Sequence, residues 1–426
     1  MGFILALGAV LALASMVRAE QPVRLAELEA HARKTRGALS GSDARIEGAR
    51  ARVAAARSAY SPTMNLLGEV SVAPGGRVID VFATNGRDIY KVAGSKAIGE
   101  DGAFTPTPRY GVTLDVRSNL YDFGRTASAV EAAEAQRRAA QADAQQQELD
   151  IVRDVRSAYV RWATAYELWA VSERAAQAAD ERAKRMQAAI EEGATRSADR
   201  TAADADSGFA QLELERARAN LESARDDLGF LSLVDLPADA RPADDVLQAG
   251  APAAPAPSDD ASLRALQEQK RAAEATADAH DHAFAPVIEA NAQAGVQGNM
   301  GNVFPLYRVG LSVSLPLWDG GAESANRGQA RARAAELSAQ ATQYQQAREQ
   351  RLKRSALLRE QAERRIGVAK QLVELCGTRL SQLEEAYPLG AARFTDLADA
   401  RAALSRAQTE LVLAQAMRAE AALALY

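Results

Sequence analysis

Two carboxylates three residues apart, Asp396 and Asp399, open a helical stretch near the C-terminus. A spacing of three puts them on neighbouring faces of one helix. Crowded among further acids, they would raise one another's pKa and favour cations. Held alone, they read as helix N-terminal acids stabilised by the backbone dipole. The other reactive residues offer less. His280-Asp281-His282 sits where a helix runs into Pro286, and side chains at i and i+2 point apart on a helix, which disfavours a shared metal. Cys376, the single cysteine, has no nearby His and falls in a coiled-coil pattern, where a small buried thiol is expected. There are three histidines in all, and no Walker loop, Ser-His-Asp candidate set or paired His ligands. The sequence therefore predicts no enzyme, no cofactor and no metal site.

The 47% hydrophobic and 5% aromatic content suits Ala-rich helices packed closely. The net charge of −5 is spread over 51 basic and 56 acidic residues, so no basic stripe exists to track nucleic acid. Phe3 to Ala14 form an apolar run too short to span a bilayer, followed by Val17-Arg18-Ala19, small residues at the positions a signal peptidase reads. Residues 1–19 are thus expected to be a secretory signal, although no Lys or Arg precedes Phe3. One cysteine leaves no internal disulfide and no lipid-modified Cys near the cut. No later segment has about 18 consecutive apolar residues, so export leads to the periplasm or to a membrane other than the inner one.

The elements that must position these residues occur twice. A shift of 197 places Tyr110 on Tyr307, Leu114 on Leu311, Asp122 on Asp319 and Gly124 on Gly321, and it still matches Gly193 to Gly390 and Asp199 to Asp396. Gapless register over such a distance predicts a tandem duplication: residues 20–232 and 261–426, joined by a Pro/Ala-rich linker over 233–260 read as extended. Each copy starts with a helix stopped by proline, Leu25 to Tyr60 and Leu263 to Phe284. Strand pairs of period two follow, Pro62 to Val72 with Tyr110 to Tyr121 and Pro286 to Gln297 with Tyr307 to Trp318. Tyr307, Val309, Leu311, Val313, Leu315 and Leu317 face one way, Arg308, Gly310, Ser312 and Ser314 the other. A soluble hairpin with one buried face would alternate in the same way. The connecting loop is long in the first copy, Ala73 to Pro108, and short in the second, around Gly298 to Pro305.

Glycine turns at Asp122-Phe123-Gly124 and Asp319-Gly320-Gly321 would let strand become helix, with each Asp near a helix start. Breaker-poor stretches follow, Arg125 to Glu192 and Ala322 to Tyr387, each about 100 Å long as helix at roughly 1.5 Å per residue. Val152, Val155, Tyr159, Trp162, Tyr166 and Trp169 recur at steps of three and four, the spacing of a packed seam. Gly193 and Pro388-Leu389-Gly390 end the long helices, so Ser197 to Leu231 and Phe394 to Leu425 fold back against them. Four strands cannot close a barrel, and an open edge in lipid leaves N–H and C=O groups unpaired. The chain must oligomerise; two copies would fill their interior with side chains, whereas three give twelve strands and a wider lumen.

The run Val309-Gly310-Leu311-Ser312-Val313-Ser314-Leu315-Pro316-Leu317-Trp318-Asp319-Gly320-Gly321 closely resembles the strand-to-helix signature of TolC-like outer-membrane efflux proteins. Ala386-Tyr387-Pro388-Leu389-Gly390-Ala391-Ala392-Arg393-Phe394-Thr395-Asp396-Leu397-Ala398-Asp399-Ala400 resembles the family's periplasmic tip. With the duplication, the resemblance covers nearly all of the mature chain. It implies an α+β membrane protein and a homotrimer, with four transmembrane strands per protomer in a twelve-stranded barrel that continues into a long antiparallel α-helical barrel. It also implies a passive exit duct of a tripartite efflux or type I secretion system, docked to a periplasmic adaptor and an inner-membrane RND or ABC transporter. Asp396 and Asp399 match the family's ring of constricting carboxylates, six in a trimer. Asp199 and Tyr387 resemble positions whose hydrogen bonds hold the tip closed. Ala392 stands where some members carry a basic residue, so whether Arg393 or Arg196 substitutes is open. A periplasmic adaptor with long α-hairpins is the alternative, disfavoured by two copies of strand pair plus hairpin, and an enzyme is a distant third. The cargo (drug, metal ion, protein or polymer) is not legible, because a wide passive pore takes its specificity from its pump.

Overall fold

The computed structural model describes residues 22–35, 37–74, 106–191, 197–249, 260–299, 302–387, 389 and 391–423. The expected signal segment, most of the long loop, Arg196, Gly193, Pro388 and Gly390 lie outside the described residues. In chain order the elements are β1 (Pro22–Val23), α1 (Leu25–Thr35), α2 (Gly37–Arg57), a single 3-10 turn (Ser58–Tyr60), β2 (Thr63–Pro74), β3 (Pro106–Tyr121), α3 (Arg125–Glu191) and α4 (Ser197–Ser232). Then come β4 (Arg241–Pro242), α5 (Val246–Ala249), α6 (Ala261–Asp281), β5 (Val287–Asn299), β6 (Asn302–Ser314), α7 (Ala322–Ala386) and α8 (Phe394–Leu423). Two strands, a long helix and a returning helix therefore follow one another in both halves. β6 stops at Ser314 rather than at Trp318, because Pro316 has no N–H for a ladder. No described helix is long and apolar enough to cross a membrane.

The chain divides into two compact units. One holds the residues up to Ser42, Asp143–Ala261 and those from Gln343 onward; the other holds Asp43–Ala142 and Ser262–Thr342.

The second unit contains an antiparallel sheet in the order β2-β3-β5-β6, with β2 and β6 as its edges. Register aligns Leu66, Leu114, Ala294 and Tyr307 in one row and Asn65, Asp115, Gln293 and Arg308 in the next, so one face is apolar and the other polar. The apolar face is open: Leu66 is 74% exposed, Tyr307 84% and Val309 85%. On the polar face Asp115 is buried, and its carboxylate is met by Arg117 Nε at 2.7 Å and Gln293 Nε2 at 2.8 Å. A charge so enclosed needs both partners. β3 and β5 approach closely at Gly295, where any Cβ would fall 2.1 Å from the Val112 carbonyl oxygen.

Strand becomes helix at two turns. The Asp122 carboxylate accepts from the Thr126 N–H at 2.9 Å, from the Thr126 hydroxyl and from Asn119 Nδ2 at 3.0 Å. Burial raises its pKa, but those hydrogen bonds outweigh burial and hold it below the usual carboxylate value. Asp319 accepts from the N–H groups of Gly321 at 2.9 Å and Glu323 at 2.5 Å, and these bonds likewise lower its pKa. The chain then swings through positive φ, at Phe123 (55°) and Gly124 (100°) in the first turn and Gly320 (75°) and Gly321 (92°) in the second. Phe123 is a non-glycine residue in left-handed space, which costs about 1–2 kcal/mol. Its edge-to-face contact with Tyr121, centroids 4.6 Å apart, offsets part of that cost.

The first unit is organised by Tyr159 on the α3 seam. Its hydroxyl donates to the Val23 carbonyl at 2.9 Å and accepts from the N–H groups of Ala243 and Asp244, both at 3.2 Å. It thereby clamps the parallel pair β1–β4, while its ring meets Trp162 edge-on at 5.6 Å. Asp244 accepts from the Leu25 N–H at 2.7 Å and so caps α1 from a distant segment. Arg156 grips Glu29 through two bonds of 2.6 and 3.2 Å. The expected extended linker differs in its described part: Leu236, Ala240, Val246 and Leu247 are buried against α3 and α8 residues. Apolar side chains between its prolines dock rather than stay in water.

Two outcomes follow. Asp122→Ala removes the cap of α3 and is expected to cost about 0.5–2 kcal/mol, read as a lower denaturation midpoint above pH 4; an unchanged midpoint would place the restraint elsewhere. Burial raises the Tyr159 pKa from 10.0 to about 12. A raised folded-state pKa contributes stability that is full below pH 10 and is lost as pH climbs toward 12. Tyr159→Phe should be less stable at neutral pH but lose stability less steeply across that alkaline window; equal slopes would contradict this.

Candidate functional site

Of the expected gating residues, Tyr387 and Asp199 come together where α4 and α8 begin. Tyr387, one residue beyond α7, is half-buried against Met186, Ala203 and Phe394, with Ala183, Ala202 and Ala398 around them. Its hydroxyl donates to Met186 Sδ at 3.8 Å, and a thioether is a weak acceptor. Burial first, and then the negative charge of Asp199, push the phenol pKa upward. Asp199 and Tyr387 are therefore electrostatic neighbours, although the hydroxyl's hydrogen bond goes to sulfur and not to the carboxylate.

The sequence brings these groups together through local rules. α7 closes with the Tyr387 N–H on the Leu383 carbonyl at 3.0 Å and the Ala391 N–H on the Ala386 carbonyl at 3.1 Å. α8 starts at Phe394, whose ring is buried. Asp396, in the third helical position, accepts from the Arg393 N–H at 3.2 Å, the backward half of a capping box. Asp396 is half-buried and Asp399, one turn later, is exposed. Within one protomer, then, Asp396 does act as a helix N-terminal acid. The Arg393 side chain is exposed.

One charged group from each of the four helices meets nearby, and pattern reading had passed over all of them. Arg182 of α3 lies 3.9 Å from Asp206 of α4, while Arg401 of α8 pairs with Glu384 of α7. Burial, together with the positive charge of Arg401, brings the Arg182 pKa down to about 10 against the pull of Asp206 and Glu384. The sequence did carry a signal: Ala179, Arg182 and Met186 continue a three-four spacing, which puts an arginine on the buried stripe.

The remaining candidates sit in the second unit or along α7. Asp122, Gly124, Asp319, Gly320 and Gly321 form the turns described above and are architectural. His280 Nδ1 lies 2.5 Å from Glu323 Oε2, joining α6 to α7, and the Asp281 carboxylate bridges Arg327 and Arg331 at 2.9 and 2.8 Å. Among the described residues no group of three or more metal-ligating side chains occurs. Cys376 is half-buried on α7.

With this geometry in hand, the chain can be set beside known proteins. The family profile described as outer membrane efflux protein matches residues 29–232 and 256–426. No curated protein matches it by sequence. Among solved structures it is similar to the outer membrane protein VceC of Vibrio cholerae, with 20% identity, 94% of each chain covered and a TM-score of 0.73. It is similar to CusC, with 16% identity, 94% and 91% covered and a TM-score of 0.78. It is similar also to the open-state MtrE outer membrane channel of Neisseria gonorrhoeae, with 21% identity, 95% and 88% covered and a TM-score of 0.76. These likenesses lend no support to the adaptor alternative. A profile match over most of the chain, on a structure that shares the fold of these channels, shows that the protein belongs to the outer membrane efflux protein family and resides in the outer membrane.

Proposed function

We propose that three copies assemble into a passive exit duct, whose twelve strands form a transmembrane barrel and whose long helices form a conduit into the periplasm. The observation that carries this reading is the sheet: four strands, two open edges, and an apolar face exposed along its length. Such a face suits lipid, and its edges suit identical neighbours. A tandem duplication behind a cleaved signal peptide accounts for the matching halves. A periplasmic adaptor and an inner-membrane RND or ABC transporter would supply cargo and energy, for tripartite efflux or type I secretion. Of the similar proteins, CusC forms a transmembrane channel and MtrE is an outer membrane channel, which supports a channel and not an enzyme.

At the tip, Asp396 and Asp399 from three protomers would form an acidic constriction, with Tyr387 and Asp199 as a latch and Arg393 or Arg196 supplying a basic partner. The capping bond of Asp396 occupies one carboxylate oxygen and leaves the other to face cations.

Asp396→Asn with Asp399→Asn is expected to lower the cation-over-anion permeability ratio several-fold in planar bilayers under a salt gradient and to weaken block by divalent cations. An unchanged reversal potential would remove both residues from the constriction. Tyr387→Phe keeps the ring among Met186, Ala203 and Phe394 but deletes the hydroxyl, so single-channel conductance should rise if the hydroxyl restrains the tip; identical traces would limit Tyr387 to packing.

A further inference from the structure

We infer that a cleft between α3 and α4 binds a small organic cation, its ammonium or pyridinium charge held by Glu173 and Glu215 and its apolar body laid along Trp169, Tyr166 and Trp162. The site lies within one unit of one protomer and goes beyond the duct reading, in which these helices serve only as wall. The cleft has a volume of about 430 Å³. Trp162, Tyr166 and Trp169 step by four and three, which places them on one face of α3, and Glu173 continues the stripe by four. The chain has three tryptophans, so two of them on this stripe are a concentration that close packing of alanines does not require. Trp162 is fully buried, whereas Tyr166 and Trp169 are half-buried, their ring centroids 5.6 Å apart. Aromatic faces carry negative potential and attract a cation within about 6 Å of the ring centroid. Leu214 and Leu221 of α4 add apolar lining.

Charge selects the sign of the occupant. The carboxylates of Glu173, Glu215, Glu222 and Asp239 line the cleft against the guanidiniums of Arg218 and Arg225, which leaves negative charge in excess. Both guanidiniums are engaged: Arg218 Nε lies 3.3 Å from Glu222, and Arg225 donates to Asp226 at 3.1 Å. Asp239 also has a partner, but Glu173 and Glu215 have none among the described residues. A phosphate or carboxylate ligand would meet that uncompensated charge and be repelled, and a neutral one would leave it unanswered. A cation neutralises it.

The two free carboxylates stand at one height. Glu173 is eighteen residues before Glu191, where α3 ends, and Glu215 is eighteen after Ser197, where α4 begins. Arg182 and Asp206, each nine residues from the same two ends, lie 3.9 Å apart, so equal counts along this antiparallel pair mean equal height. The cleft therefore has one acidic end and an apolar length. At about 1.5 Å per residue, Trp169 lies roughly 6 Å and Trp162 roughly 16 Å along α3 from Glu173. The shape that fits is a single positive head joined to an apolar body of about 10 Å, the distance from Trp169 to Trp162 on the same scale.

The test uses the full chain in a non-ionic detergent with Trp318→Phe, so that tryptophan emission comes from Trp162 and Trp169 alone. Hexylpyridinium, a cation that quenches indole fluorescence on contact, should quench this emission saturably. Phenylbutyltrimethylammonium should displace it and restore the emission, whereas phenylbutanol and phenylbutyrate, similar in shape but neutral and negative, should not. Glu173→Gln with Glu215→Gln keeps both side-chain shapes and should weaken hexylpyridinium binding about tenfold with the thermal midpoint unchanged. Quenching that never saturates, displacement by the alcohol as effective as by the ammonium, or equal affinity in the double glutamine variant overturns the site. The native mass of the same sample reports the trimer separately, so a failed titration leaves the duct reading standing.

Discussion

Backbone hydrogen bonding at two strand edges governs this structure. β2 and β6 each have a partner on one side only, and the sheet they bound presents an apolar face to its surroundings. In water the unpaired N–H and C=O groups would be solvated at little cost. Within hydrocarbon each costs several kcal/mol. A four-stranded sheet placed in lipid is therefore incomplete as a monomer, and the trimer and lumen proposed above would answer that one shortage. An even, shorter sheet with charged edges would have been a stable soluble hairpin pair; Val70, Tyr307 and Val309, exposed by 84%, 84% and 85%, exclude that outcome for a protein in water.

The helical unit solves a different problem with different material. Alanine dominates its buried positions, among them Ala158, Ala163, Ala176, Ala179, Ala203, Ala400, Ala407 and Ala419. Small residues let helices approach closely, but each buries little area, so specificity must come from a few larger or polar groups. Tyr159 serves in that way, fixing the strand pair β1–β4 with three hydrogen bonds around one hydroxyl. Arg156 with Glu29, and Arg418 donating to the Leu247 carbonyl at 2.8 Å, fasten the first helix and the described linker residues to the same core. That is why the described part of a segment rich in proline and alanine, which by composition resembles a free spacer, is docked instead: four of its apolar side chains are buried.

Much of this was legible because periodicity reports backbone class directly. The period-two strands, the breaker-free helices and the Asp-containing turns fall within a few residues of their expected bounds, and Asp122 and Asp319 cap as their positions suggest. Failures occurred where a single atom decides. β6 ends before Pro316 because of a missing N–H. Of the Arg182 cluster only the arginine was legible, from its place on the buried stripe of α3; the other three charges look, one helix at a time, like solvated side chains. Only tertiary packing sets Asp206, Glu384 and Arg401 around that guanidinium.

In the constriction proposed above, one carboxylate would serve structure and transport together. Asp396 secures the first turn of α8 by accepting from the Arg393 N–H, and this bond orients the side chain and limits its rotamers. A carboxylate already fixed by its own helix loses little further entropy when a cation approaches, and its remaining lone pairs stay available. Asp399, exposed and one turn on, lacks that restraint and can swing. An acidic ring built from both would combine three fixed charges with three movable ones. Such a ring can coordinate ions of differing radius, yet it retains a fixed register because the capping bond belongs to the fold and not to the cargo.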